Sequence, residues 1–204
     1  QNPIDIEFSA AGAYDIRLTV SNTGGSDTKT MTHAFAAANE REPLTLTQRG
    51  MVSGGLYTES PSTYATGVTE VTHEFTLPTY TDVQWAKLYV NIYSGSAAGA
   101  FGLTSTVEFD ANGDGDYLDA GEVLGIETMD IKSETNGHSF PLNDHVTKVY
   151  SDYEVQYDVT SLITSTNPVA HIKNEAIAGL SLDGRIKALT LVVAYNDGDS
   201  DEDR

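Results

Sequence analysis

The 204-residue chain has no cysteine, which excludes disulfides, thiolate metal sites and cysteine nucleophiles. Basic residues are scarce: 11 Lys and Arg stand against 30 Asp and Glu, a formal net charge of −19. A surface of that sign repels phosphate backbones, so no nucleic-acid partner is expected. It is repelled by anionic lipid headgroups as well. No apolar run reaches the roughly 18 residues of a membrane-spanning helix, so no direct membrane insertion is expected. Catalytic signatures are missing too, with no H-E-x-x-H, no G-x-S-x-G elbow and no phosphate-binding P-loop. No Asn-x-Ser/Thr sequon occurs, so conventional N-glycosylation is not expected. The chain opens on Gln1-Asn-Pro, without Met or a visible signal peptide, as a processed protein or an excised fragment would.

What the chain does have is oxygen at regular spacing. In Asp110-Ala-Asn-Gly-Asp-Gly-Asp-Tyr-Leu-Asp-Ala-Gly-Glu122, oxygen side chains fall at Asp110, Asn112, Asp114 and Asp116, then at Asp119 and Glu122. Side chains two apart in a tight loop can converge on one hard cation. Ca2+ takes about six to eight oxygens and favours a Gly at the sixth loop position. Gly115 is the sixth residue from Asp110. An EF-hand closes with a Glu at its twelfth position; here that place is Gly121 and Glu122 follows it. The segment before the loop, Thr104 to Phe109, reads as a strand where an EF-hand has a helix. The pattern therefore predicts a static Ca2+ clamp between strands, with Ca2+ as the cofactor. A solvated acidic turn is the bland alternative. A second acidic run, at Asn196, Asp197, Asp199 and Asp201, is a second candidate metal site, although a solvated terminal tail fits it better.

Period-two alternation dominates the rest. Ile16, Leu18 and Val20 alternate with Asp15, Arg17 and Thr19, the turn Asn22-Thr-Gly-Gly-Ser26 follows, and Thr28 to Phe35 forms a second strand. Residues 38–43 read as a linker. Residues 44–204 read as a larger β domain with strands at Leu44–Gln48, Gly54–Tyr57, Val68–Leu77, Trp85–Tyr93, Ser105–Phe109, Val123–Met129, Val146–Tyr157, Ala170–Asn174 and Ala188–Tyr195. Short strands at such intervals indicate a sandwich or jelly roll. Helix signals are confined to single turns at Ser161–Thr164 and Ala176–Leu180.

None of the five histidines has metal-site spacing. His73 reads as a packed or cross-strand residue, while His138 and His145 flank a loop as a weak ligand pair. Of the 11 tyrosines, Tyr57, Tyr64, Tyr80, Tyr93, Tyr117, Tyr150, Tyr153 and Tyr157 are candidates for a sugar-stacking or subunit-facing surface. Half-buried strand positions are the plainer reading of each.

Phe8, Gly12, Tyr14, Ile16, Leu18, Val20, Asn22, Gly25 and Ser26 fit a pattern that resembles the C-terminal end of a PKD domain, an immunoglobulin-like β-sandwich of archaeal and bacterial surfaces. Residues 1–37 cover about the last third of such a domain, without its upstream strands. Two strands alone are marginal in water, so either the chain is a fragment or another chain supplies the missing strands. The phrases Gly54-Gly-Leu-Tyr57, Trp85–Tyr93, the acidic loop, Tyr157-Asp-Val-Thr160 and Leu191–Asn196 resemble an uncharacterised β-sandwich domain in large cell-surface proteins of methanogenic archaea, often found beside PKD repeats. The resemblance implies that this domain continues past Arg204.

Together these readings predict an all-β chain: partial immunoglobulin-like, PKD-type strands at 1–37, then a jelly-roll-like β-sandwich at 44–204. The expected role is that of a non-enzymatic structural subunit in an archaeal, extracellular cell-surface assembly (S-layer, sheath or filament), with copies of itself as partners. The alternative is a carbohydrate-binding or adhesion module whose partners are cell-surface glycans. A Ca2+-dependent glycan hydrolase or lyase would require a facing carboxylate pair in a cleft, and spacing alone singles none out.

Overall fold

The structure is a computed structural model, and it describes residues 12–37, 48–61, 67–96, 99–130 and 139–199. The predicted linker 38–43, residues 44–47 of the first predicted strand of the larger domain, Tyr64, His138, Asp201 and the side chain of His33 lie outside the described residues. Everything described is strand, turn or irregular chain. Among the described residues no helix is long and apolar enough to cross a membrane, which says nothing of a β-barrel.

Strands β1 (Gly12–Asn22) and β2 (Gly25–Ala37) form an antiparallel hairpin. Its turn is closed by Asn22, whose Oδ1 accepts from Gly24 N at 2.7 Å. Gly25 takes φ +140°, a value that favours glycine at the turn. The alternation of Ile16, Leu18 and Val20 does place them on one face. That face is open: the three are 46%, 61% and 60% exposed, and Met31, opposite Ile16, is 50% exposed.

The remaining strands are β3 (Gly55–Glu59), β4 (Glu70–Glu74), β5 (Asp82–Ser94), β6 (Leu103–Asp110), β7 (Val123–Met129), β8 (Phe140–Pro141), β9 (Val146–Val149), β10 (Asp152–Asp158), β11 (Val169–Ala176) and β12 (Gly184–Asn196). They make two antiparallel sheets, ordered β3-β12-β5-β10-β9-β8 and β4-β11-β6-β7. Setting the short β8–β9 hairpin aside, the chain runs through them in a jelly-roll order, with the last strand of each sheet paired inside it. The long alternating strand β5 sends Ala86, Leu88, Val90 and Ile92 inward, all fully buried. They pack with Ile186, Leu189, Leu191 and Val193 of β12 and with Val107, Phe109, Ala170 and Ile172 of the facing sheet. Each of these side chains larger than alanine contributes about 1.5–3 kcal/mol on leaving water.

Two expectations need correction. Val146–Tyr157 is two strands, because Tyr150, at φ 53°, and Ser151 reverse the chain between Val149 and Asp152. Tyr153 and Tyr157 are 2% and 4% exposed and belong to the core, so neither serves a ligand- or subunit-facing surface. The suspected helical turns are single hydrogen-bonded turns, Leu162 N to Val159 O and Leu180 N to Ile177 O, both 3.0 Å.

Candidate metal centre

The acidic loop joins β6 to β7 at one end of the sandwich. Phe109 N bonds Glu122 O at 2.8 Å across its mouth. The β10–β11 connection lies beneath it. There Thr164 Oγ1 donates to Ala111 O at 3.3 Å, and a Cβ on Gly113 would stand 3.2 Å from Asn167 O. That connection is pinned in turn by the Asp-Val-Thr phrase. Thr160 Oγ1 accepts from Ala86 N at 2.8 Å, and Thr160 N donates to Asp158 Oδ1 at 3.0 Å.

Within the loop the carboxylates wind the backbone. Asp110 is buried, and its Oδ1 accepts from Gly113 N (2.6 Å) and Asp114 N (3.3 Å) while Oδ2 accepts from Gly115 N (2.9 Å). Each oxygen side chain then accepts from the amide two residues on: Asn112 from Asp114 at 2.8 Å, Asp114 from Asp116 at 3.2 Å, Asp116 from Leu118 at 2.9 Å. These are successive Asx turns, for which short Asn and Asp side chains are suited. Gly113 and Gly115, at φ +77° and +94°, supply left-handed backbone between them. Glu122 is buried at the loop's base and accepts from Ala111 N at 3.1 Å and Asp119 N at 3.2 Å. The Asn112 amide nitrogen donates to both Asp114 (3.2 Å) and Asp119 (2.8 Å), holding those carboxylates to one point.

All six predicted ligand residues therefore share one compact loop. Asp110 and Glu122 stand at its base, Asn112, Asp114 and Asp119 meet through the Asn112 amide, and Asp116 is bonded to Leu118 N. Among the described residues, no three His, Asp or Glu side chains stand in a metal-binding arrangement. The chemistry of the donor set suits a hard cation, since every predicted ligand offers oxygen. The loop's negative potential is felt by Tyr117. Burial first, and then the charges of Asp110, Glu108 and Glu122, hold its phenol above the ordinary range.

Tyr117 also ties the loop to the outer face of the four-stranded sheet. Its ring stacks on His171, with centroids 5.6 Å apart. His171 lies between two carboxylates from neighbouring strands, Nδ1 at 2.6 Å from Glu108 of β6 and Nε2 at 3.1 Å from Glu70 of β4.

Asn196 and Asp197 of the second candidate site tie the end of β12 to the segment before β3. Asn196 Oδ1 accepts from Ser53 N at 3.0 Å, and Asp197 N donates to Ser53 Oγ at 3.2 Å. Asp199 N bonds Asp197 Oδ1 at 3.1 Å.

Two polar clusters had no signal in sequence spacing. At the β3–β4 flank, Glu59 accepts from the Tyr57 hydroxyl and contacts His73 Nε2 at 2.8 Å, while His73 sets its edge on Phe75 at 4.7 Å. At the opposite flank, the buried Glu127 of β7 accepts from Tyr157 Oη at 2.5 Å and from Asn143 Nδ2 at 2.8 Å, and His145 stacks on Tyr157 at 4.6 Å.

A family described as a protein of unknown function, DUF3344, matches residues 24–204, and the chain belongs to that family. The match begins in the hairpin turn, so it takes in β2 as well as the sandwich. No curated protein and no solved structure matches the chain.

Proposed function

We propose that this DUF3344 chain is a non-enzymatic structural subunit of an extracellular cell-surface assembly, such as an S-layer, sheath or filament, built from copies of itself. The observation that carries the reading is the open apolar face of the β1–β2 hairpin. Ile16, Leu18, Val20 and Met31 are half-exposed or more on a two-stranded ribbon that is marginal by itself. Strands of a neighbouring copy would cover that face and complete the sheet. The hairpin residues 12–37 carry Arg17 and Lys29 against Asp15 and Asp27, so they are neutral within a chain of net charge −19. Copies can meet there without the repulsion that the rest of the surface imposes.

In this reading the acidic loop is a Ca2+ clamp. Asp110, Asn112, Asp114, Asp116, Asp119 and Glu122 would hold the ion, which supplies charge neutralisation at a site where six oxygen side chains crowd. The loop's own residues do the mechanical work of fixing β6 to β7 and, through Tyr117, to His171 on the sheet face.

The test is to follow assembly size by light scattering and electron microscopy while Ca2+ is added and chelated. Assemblies that grow with protein concentration, disperse for Leu18→Ser/Val20→Ser and melt at lower temperature in chelator are expected. Monodisperse monomers at high concentration in both conditions would sink the assembly. A melting temperature indifferent to Ca2+ would sink the clamp.

A further inference from the structure

The outer face of the six-stranded sheet carries a groove of about 420 Å3 that none of the features above uses. Its wall is Trp85, the only tryptophan of the chain, with Leu56 and Met51, which are 67% and 52% exposed. Trp85 points outward because its neighbour Ala86 takes the inward position in β5. Gln48 and Gln84 also line the groove, and Arg49 is the one charged residue among its described lining. Gln84 spends its amide nitrogen on Asp82, which leaves its oxygen to accept.

The decisive feature is charge. The chain holds 30 carboxylate residues, yet among the described residues none lines this groove, and the carboxylate beside it, Asp82, is engaged by the Gln84 amide. Elsewhere the surface repels anions; here Arg49 is the charged residue among the described lining, and the rest of that lining is uncharged. A ligand matched to the groove has an apolar face to lie on the indole, hydroxyls for the two amides and a carboxylate for the guanidinium fork. The volume falls in the range of sites that enclose a small ligand or one or two rings of a longer one.

We infer that this groove binds a uronic-acid unit of an acidic polysaccharide, with Trp85 stacking on the sugar ring and Arg49 pairing with its carboxylate. The inference does not rest on the assembly reading, since it concerns the sandwich and not the hairpin, and one copy of the chain.

Because Trp85 is the sole tryptophan, its emission reports on the groove alone. The full chain is titrated with oligogalacturonate and, in parallel, with a neutral cello-oligosaccharide of equal length. Free Ca2+ is held fixed in one series and chelated in another, because uronates bind Ca2+ themselves. Saturable change with the uronate in both series is expected, with binding weakened at least about tenfold for the neutral sugar and for Arg49→Gln. Trp85→Phe, followed by calorimetry, keeps the fold testable where Trp85→Ala would not, and is expected to weaken binding by a similar factor. Absence of saturation, equal response to the neutral sugar, or Arg49→Gln binding like the parent would each overturn the proposal. So would a tryptophan signal that depends on protein concentration rather than sugar, which would make a second copy the occupant.

Discussion

At the β3–β4 flank of the sandwich, Glu59 sits between Tyr57 and His73. At the other, Glu127 sits between Tyr157 and Asn143, with His145 stacked on the tyrosine. The residue types nearly repeat, and in both places a glutamate ties one sheet to the other. Their surroundings differ. The Glu59 and His73 side chains are 34% and 23% exposed, while Glu127 and Tyr157 are 7% and 4% exposed. A charge-assisted hydrogen bond in water replaces one made to solvent and gains little, whereas a buried carboxylate left short of a donor keeps its full desolvation cost. The same three residue types therefore form a removable tie on one flank and an indispensable one on the other.

The largest effect should come from Tyr157→Phe, which strips the buried Glu127 of a donor. A loss of about 2–3 kcal/mol in denaturant unfolding is expected. If the cost were no greater than at the other flank, the role given to burial would fail. Next comes Gly125→Ala. A Cβ there would stand 2.1 Å from Tyr157 Oη and 3.1 Å from Glu127 Oε1, and Tyr157 is 4% exposed. We expect a cost of about 1–3 kcal/mol from overpacking. Part of it should disappear in the Tyr157→Phe background, where the hydroxyl is gone, and a double-mutant cycle measures that coupling. Tyr57→Phe, on the half-open flank, should cost about 1 kcal/mol or less by the same unfolding assay.

The smallest differences should appear with pH, and they have opposite signs. Burial raises the Glu59 pKa, but hydrogen bonds from Tyr57 and His73, the charge of His73 and a backbone bond at Thr76 outweigh it and leave the group below its ordinary 4.5. Its folded pKa is thus depressed, so its contribution is present above about 4.5 and fades as pH falls through the folded value. Tyr157 is held well above its ordinary 10.0, by burial first and then by the hydrogen bond and charge of Glu127. Its contribution is complete below about 10.0 and is lost as pH rises past it. Unfolding midpoints across the acid limb should flatten in Glu59→Gln, and those across the alkaline limb in Tyr157→Phe. Exchange of these two effects would overturn the assignment.

Alternation made β5 legible, because Leu88, Val90 and Ile92 meet the core at every second position. It also concealed the turn at Tyr150-Ser151, where valines and tyrosines continue the strand-like pattern on both sides and a non-glycine residue takes the left-handed backbone. The oxygen spacing of the acidic loop was legible, and the glycine positions with it. The amides on which those oxygens are spent were not, since a DxNxD pattern is the same whether its side chains face an ion or the chain's own backbone. The flank clusters were hidden for another reason. Tyr157 and Glu127 are 30 residues apart, and only the stacking of two sheets brings them together.

The strand order also fixes a schedule. Among the described residues β3 pairs only with β12, and β4 only with β11, so two strands made early on the ribosome wait for two made much later. Until residues 169–196 exist, their edges are bare and neither sheet is closed. Such distant pairing makes for slow folding. A chain threaded through a narrow channel in the order of its synthesis would keep both sheets open until β11 and β12 emerge and slide between strands made before them.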